Sequence, residues 1–208
     1  MDKYLPLFPL NLVLFPKMLL PLHIFEERYK QMIGECLGQS LPFGILYSKD
    51  NVIEPIGCGA SIHQVLKSYP DGRMDIVAIG TNRFRVLHFN SERAYLRGVI
   101  EPFNDDGTIP EPSKEDLDTL AGLYQRAFKM IHRESAEEPS TLPSEAYAFH
   151  VAQRLNLDND LKQQLLNLQS EAERIKHLVH YLSEVVIFLT KTDKASDKAG
   201  GNGNLRKA

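Results

Sequence analysis

The amino-acid sequence predicts an α+β protein, with a β-rich amino-terminal lobe that packs one helix and a helical bundle behind it. Three observations lead there. Leu5 to Phe25, LPLFPLNLVLFPKMLLPLHIF, is one of the most apolar stretches of the chain, yet Pro6, Pro9, Pro16 and Pro21 interrupt it. Residues 56 to 103 read as strand, with apolar and polar residues alternating around turn residues. After Ser113 the apolar residues recur instead at the three-and-four spacing of a helix face.

Proline lacks the amide donor and fixes φ near an extended value. An unbroken helix through residues 5–25 would cost about 3 kcal/mol at each internal proline. The segment is therefore extended, and its backbone groups need partners, so it is expected to run as bent strands that later strands complete. Beyond Phe25 the period changes: Tyr29, Met32, Ile33, Cys36 and Leu37 share one helix face, Glu26 and Glu27 sit where the helix dipole favours negative charge, and Gly38 is placed to end the helix. Pro42 to Tyr47 follows as a short strand, bounded by the turn residues Ser48, Lys49, Asp50 and Asn51.

Ala60, Ile62 and Leu66 then alternate with Ser61, His63 and Lys67, and Met74, Ile76 and Ala78 alternate with Arg73 and Asp75. Tyr69-Pro70-Asp71-Gly72 between them supplies hairpin turn chemistry. Gly80-Thr81-Asn82 is expected to bend or bulge the sheet. Phe84 and Val86 continue one face between Arg83 and Arg85, and Tyr95 to Ile100 offers another strand. About six strands result, enough to curl into a small barrel with one helix on it.

Composition shifts between Glu101 and Pro112 to Asn, Asp, Gly and Pro, which reads as a linker over 104–112 between a lobe of 1–103 and a helical lobe of 113–190. Ser113 is placed to cap a helix whose face is Leu117, Leu120, Leu123, Tyr124, Ala127, Phe128 and Ile131. A loop with Glu137, Glu138, Pro139 and Pro143 precedes a shorter helix opened by Ser144, and Asp158 opens another. Ser170 and Glu173 form a capping box for the last helix, where Ile175, Leu178, Val179, Leu182, Val185, Val186 and Leu189 keep a helical period as a core face. Residues 191–208, nearly devoid of apolar side chains, are expected to form a disordered tail.

Composition excludes several function classes. With 43% hydrophobic and 25% charged residues the chain matches an ordinary soluble protein, and a net charge of -3 gives no general attraction to nucleic acid or anionic membrane. Prolines and Lys17 inside the apolar opening argue against an export signal, and no run approaches the roughly 20 apolar residues that span a bilayer, so a cytoplasmic location is expected. Cys36 and Cys58 form no C-x-x-C pair and read as buried apolar fillers. There is no G-x-x-x-x-G-K-[ST] loop and no G-x-S-x-G elbow. His177 and His180 lie three apart on a helix without a further ligand to complete a metal set. Neither catalytic residues, cofactor nor metal is expected.

The opening LPLFPLNLVLFPKMLLPLHIFEERYKQMI resembles that of the Lon substrate-binding domain, the amino-terminal domain of the ATP-dependent protease Lon, which recurs in cereblon-type proteins and as stand-alone bacterial proteins. Phe43-Gly44-Ile45, Ile56-Gly57-Cys58-Gly59, Pro70-Asp71-Gly72-Arg73 and Gly80-Thr81-Asn82-Arg83-Phe84 follow in the family's order, and the likeness covers about residues 4 to 190. The resemblance implies a PUA-like pseudo-barrel and a protein- or peptide-recognition module without the ATPase and protease domains of the full enzyme. Unfolded or hydrophobic protein segments are the implied partners, with a protease or an adaptor beside them. The excess of apolar residues in non-helical backbone makes Phe15, Met18, Leu19 and Leu20 the peptide-binding candidates. An alternative is RNA binding, since PUA-like folds bind RNA and Lys67, Arg73, Arg83, Arg85, Arg93 and Arg97 outnumber Asp71, Asp75 and Glu92 along the strands. Its candidates are Arg73, Arg83, Arg85 and Arg97.

Overall fold

The computed structural model describes residues 4–132 and 146–200, with residues 193–200 described by their backbone alone. Packing divides the chain into two compact units, Met1–Gly107 with Ala152–Gln169, and Thr108–Val151 with Ser170–Ala208.

The first unit holds β1 (Leu5–Leu10), β2 (Leu19–Ile24), α1 (Glu27–Gln39), β3 (Phe43–Lys49), β4 (Val52–Ile53), β5 (Ile56–Ser68), β6 (Met74–Asn90), β7 (Arg97–Pro102) and α4 (Asn159–Asn167), which follows two helices of the second unit. The strands form one seven-stranded sheet of order β1-β7-β6-β5-β3-β4, and β1 returns to pair in parallel with β3, closing the sheet into a barrel. The 17-residue β6 is its spine. β5 runs along it, β2 pairs with its first part from Leu19↔Ile79 to Ile24↔Met74, and β7 takes the remainder.

The apolar opening is extended, as its prolines require. Gly80 N–H donates to the Met18 carbonyl at 2.9 Å, which sets the phase of the β2–β6 ladder. Stepping by two, Leu20, Leu22 and Ile24 occupy hydrogen-bonded pairs, while the backbone groups of Leu19, Pro21 and His23 turn away from β6. Pro21 thus sits where a missing amide removes no ladder bond.

The expected hairpin is formed by β5 and β6, with Gly72 at φ 83 in its turn. Asp50 and Asn51, at φ 51 and 64, make the two-residue connection between β3 and β4, a type I′ pattern that Asn and Asp tolerate. The bulge lies at Thr81–Asn82: Cys58 pairs with Arg83 and Ala60 with Gly80, so β6 carries one extra residue there. Gly80 has a second reason to be glycine. A Cβ there would lie 2.1 Å from the Phe15 carbonyl oxygen, on the loop whose Lys17 N–H donates to the Gly80 carbonyl. Gly80→Ala is expected to cost about 2 kcal/mol through forced displacement of that loop, read as a lower urea midpoint.

The face predicted for α1 buries Tyr29, Met32, Ile33 and Cys36 against Phe8, Leu20, Ile24, Phe43, Ile45 and Ile76. The helix runs one residue past Gly38, and Ser40, at φ 52, takes the left-handed position instead. Leu41 N–H donates to the Cys36 carbonyl at 3.0 Å and closes the end as a Schellman turn. Both cysteines are buried and free. Burial pushes the Cys36 thiol up to about 11 and the Cys58 thiol up to about 12, which suits fillers rather than nucleophiles.

Composition placed α4 with the helical lobe, but it belongs to the barrel, held there by polar side chains. Its predicted cap forms, with Leu161 N–H donating to Asp158 Oδ1 at 2.8 Å. Lys49 Nζ and the Tyr47 hydroxyl donate to the Asp160 carboxylate at 2.6 and 2.8 Å, and hold that carboxyl below its ordinary range. Gln163 Nε2 donates to the Ile56 carbonyl at 3.0 Å. At the far end the Arg83 guanidinium donates to the carbonyls of Leu166 and Leu168 and to Asp105. A cation at a helix carboxyl terminus also meets the dipole favourably.

The second unit contains α2 (Lys114–His132), the first residues of α3 (Tyr147–Arg154) and α5 (Glu171–Gly200). Asp116 N–H donates to Ser113 Oγ at 3.1 Å, and Ser113 Oγ donates back to the Asp116 carboxylate at 2.7 Å, so the cap at Ser113 is reciprocal. Glu173 N–H donates to Ser170 Oγ at 3.2 Å, as the sequence signature requires. The stripe on α5 is core: Ile175, Leu178, Leu182 and Val186 are buried, and α5 packs on α2 with Leu120, Tyr124 and Ala127. The helix continues through Gly200, so residues 191–200 are helical rather than a disordered tail. Extending a formed helix adds a hydrogen bond per residue without a new nucleus, and the composition of that stretch does not oppose it. The expected remainder of the tail, 201–208, the loop with Glu137, Glu138, Pro139 and Pro143, and the Ser144 cap lie outside the described residues.

Candidate functional site

The structure separates the candidates Phe15, Met18, Leu19 and Leu20. Phe15 and Leu20 are buried, and Met18 is half-buried against the core that contains Leu20. Leu19 alone of them is open, at 53% exposure. Strand alternation is the cause, since Leu20 and Ile24 face the core while Leu19, Pro21 and His23 face outward.

Leu19 has other neighbours. Register on β6 sets Ile79 opposite Leu19, Val77 opposite Pro21 and Asp75 opposite His23, and Phe25, 59% exposed, follows the strand. The outer face therefore carries an apolar row of Leu19, Ile79, Pro21 and Val77 ending at Phe25, whose ring stacks on His23 at 5.9 Å. Beyond it the surface turns polar. His23 Nδ1 lies 2.5 Å from Asp75, and the Tyr69 hydroxyl donates to the same carboxylate at 2.8 Å; both hold it below its ordinary range. Sequence reasoning missed Val77, Ile79 and Phe25. The signal was present in the period-two pattern of residues 74–79, once paired with that of 19–24.

The arginines do not make a basic face. Arg73 pairs with Asp71 at 2.7 Å and lies over Tyr69. Arg85 pairs with Glu101 at 3.2 Å and lies over Phe103. Arg83 and Arg97 are buried, the first on the α4 carbonyls and Asp105, the second on Asn90 and Glu92. Each of these cations is matched by a carboxylate, which leaves little for a phosphate backbone to neutralise.

A cleft of about 480 Å³ opens elsewhere on the same unit. The β1–β3 ladder begins only at Leu7↔Gly44, and the cleft lies ahead of it, lined by Leu5 and Pro6 on one segment and Leu41 and Pro42 on the other. Glu35 of α1 and Arg93, Tyr95 and Arg97 also line it. The Tyr95 hydroxyl donates to Glu35 Oε2 at 2.6 Å, Gln31 Nε2 to Oε1 at 2.9 Å, and Arg93 Nη1 to Oε2 at 2.5 Å. These bonds, Tyr95 first, hold the Glu35 carboxyl below its usual range.

A barrel closed by a parallel β1–β3 pair, with one helix packed in its core, defines the class: a PUA-like pseudo-barrel, here attached to a helical unit. The particular family follows from comparison with known proteins. The family model of the ATP-dependent protease La (LON) substrate-binding domain matches residues 4–184, and the chain belongs to that family. The Lon protease of Dictyoglomus thermophilum is 23% identical, over 94% of this chain and 26% of its own length. The Lon protease of Syntrophus aciditrophicus is also 23% identical, over 86% of this chain and 25% of its own. The chain thus spans about a quarter of the length of these curated relatives. Among solved structures, a Lon N-terminal domain protein from Xanthomonas campestris superposes with a TM-score of 0.64 at 25% identity, covering 86% of this chain and 98% of that one. The N-terminal domain of a Mycobacterium avium complex Lon protease gives 0.62 at 19% identity, covering 87% and 98%, a likeness of fold. Among the described residues no helix is long and apolar enough to cross a membrane.

Proposed function

We propose that this chain is a non-catalytic recognition module of the cytoplasm that binds unfolded or hydrophobic protein segments, beside a protease or an adaptor. The observation that carries this reading is the outward-facing apolar row on the sheet, in which Leu19, Pro21 and Phe25 are exposed and Val77 and Ile79 half-buried, in a chain of the substrate-binding family. Such a row offers apolar contact to any segment that has lost its own core, whatever its sequence. The backbone groups of Leu19 and His23 that point away from β6 add hydrogen-bonding partners at the strand edge.

The test is Leu19→Asp. Leu19 is exposed, so its replacement should move stability by no more than about 0.5 kcal/mol. A charge in the row should weaken binding of a permanently unfolded, carboxymethylated model protein about tenfold, corresponding to about 1.4 kcal/mol. Unchanged affinity in a folded variant would remove the row from the site.

A further inference from the structure

We infer that a pocket of about 170 Å³ between β1 and β2 takes one neutral apolar side chain of an extended polypeptide segment, which joins β2 as an added antiparallel strand. That the occupant is a polypeptide rests on the function proposed above; its extended form and its inserted side chain rest on the strand edge and the pocket themselves. Among the described residues β2 pairs with β6 alone, so its second edge is open. Along that edge Leu19 and His23 each offer an N–H and a carbonyl, and Pro21 a carbonyl, all turned away from β6. The β2–β6 pairs follow one another without a register shift, which keeps the edge regular. β5 flanks β6 on the other side, and β3 covers it only as far as Ala60. Beyond that its register shifts between Ile62 and Gln64 and again between Val65 and Lys67. Two irregularities and a lysine make the β5 edge a poor template for a further strand, and leave β2 as the better one.

Phe8, Pro9 and Leu10 of β1, Leu22 and Ile24 of β2 and Tyr29 of α1 line the pocket, and no residue of β6 does, which places it on the open side of β2. Phe8, Ile24 and Tyr29 belong to the buried core and Leu22 packs against it, so the pocket lies on the core face of the strand. Its volume is close to the roughly 150 Å³ of an apolar cavity that holds a benzene ring, which suits one leucine or phenylalanine side chain. Charge points the same way. Arg28 Nε donates to Glu26 Oε2 at 2.9 Å, and His23 Nδ1 lies 2.5 Å from Asp75, so the ionisable groups along the pocket are already matched. An ionised side chain entering there would lose water without gaining a partner. Strand geometry then fixes which residue enters. Directly opposed residues share a face, so the ligand residue opposite Leu22 points into the pocket while its own backbone groups turn to solvent. Its two neighbours bond to Pro21 and His23.

The probe is a fluorescent heptapeptide of six threonines around a central leucine, acetylated and amidated, titrated by anisotropy into the full chain. Threonine favours the extended form without adding an ionic group. The leucine peptide should bind about fivefold more tightly than its central-alanine counterpart and about tenfold more tightly than its central-glutamate counterpart. N-methylation of the two threonines that flank the leucine should weaken binding about tenfold, whereas N-methylation of the leucine, whose amide faces solvent, should change it less than about twofold. His23→Pro removes no bond to β6 and should weaken binding about tenfold more than His23→Ala, since both lose the imidazole and only proline loses the amide. Equal effects of the two methylation patterns overturn the added strand. Equal binding of the leucine, alanine and glutamate peptides overturns the pocket, and no binding of the leucine peptide overturns both. Should His23→Pro fail to fold, the methylated peptides on the unaltered chain still decide. If the carboxymethylated protein binds and Leu19→Asp weakens it while the peptides show neither pattern, this inference alone fails. If the peptides show both patterns and the carboxymethylated protein does not bind, the broader recognition reading fails while the edge and its pocket stand.

Discussion

Replacing Glu171 by alanine is expected to destabilise the second unit by about 4 kcal/mol. Glu171 and Arg174, 7% and 2% exposed, form a buried pair one turn apart on α5, with Arg174 Nε donating to Glu171 Oε2 at 2.8 Å. The other carboxylate oxygen accepts from the Ala148 N–H at 2.7 Å, and the guanidinium lies over Phe149 at 4.5 Å. Alanine takes from the buried Arg174 its carboxylate neighbour on α5 and from the Ala148 amide an acceptor. Urea unfolding followed by far-UV circular dichroism measures the loss. Glu171→Gln keeps an acceptor for Ala148 and should fall between. The double replacement Glu171→Leu with Arg174→Met should recover most of the stability, because it removes both buried charges together. A loss below about 1 kcal/mol for alanine would mean that solvent reaches the pair.

Arg83→Met is expected to cost the first unit about 3 kcal/mol and to loosen α4 specifically. Methionine fills much of the arginine's volume but returns none of these bonds, so the Leu166 and Leu168 carbonyls and the Asp105 carboxylate each lose a donor. Amide hydrogen exchange separates this from a general loss: protection along residues 159–167 should fall before that of β5 and β6. Arg83→Lys should restore only part, because one ammonium cannot reproduce the fork that meets carbonyls and a carboxylate together. Uniform loss of protection across the barrel would show that Arg83 supports the sheet rather than the helix end.

Much of this fold is legible in the residues. Prolines in the opening rule out a helix, and the strand phase then puts Pro21 where it removes no ladder bond. The caps at Ser113, Asp158 and Ser170 all form. The bulge falls beside Gly80, where loop and strand meet too closely for a side chain. These features are local, set by a few neighbouring residues. The site was less legible because it depends on partners far apart in sequence. Apolarity alone cannot tell Leu19 from Leu20; the ladder with β6 does, through alternation. Arg83 sits among strand residues and looked like part of a basic face, but its partners lie at Asp105 and at the end of a helix more than eighty residues away. The likeness of α4 to its helical neighbours hid its attachment to Tyr47, Lys49 and Ile56 through polar side chains, contacts that leave no periodic trace.

The passage of the chain out of the first unit after Gly107 and back again at Ala152 has a consequence for how the protein is made. On a ribosome the strands emerge first, but the helix that Arg83 terminates is synthesised only after the whole of the second unit's first segment, Thr108–Val151. Until then Arg83 faces its carboxylate without the two carbonyls, and the Ile56 carbonyl waits for Gln163. The barrel therefore reaches its final form late in translation, and a fragment cut at Gly107 would be a sheet missing its last fastening, whereas one cut after Gln169 would carry every residue of that unit.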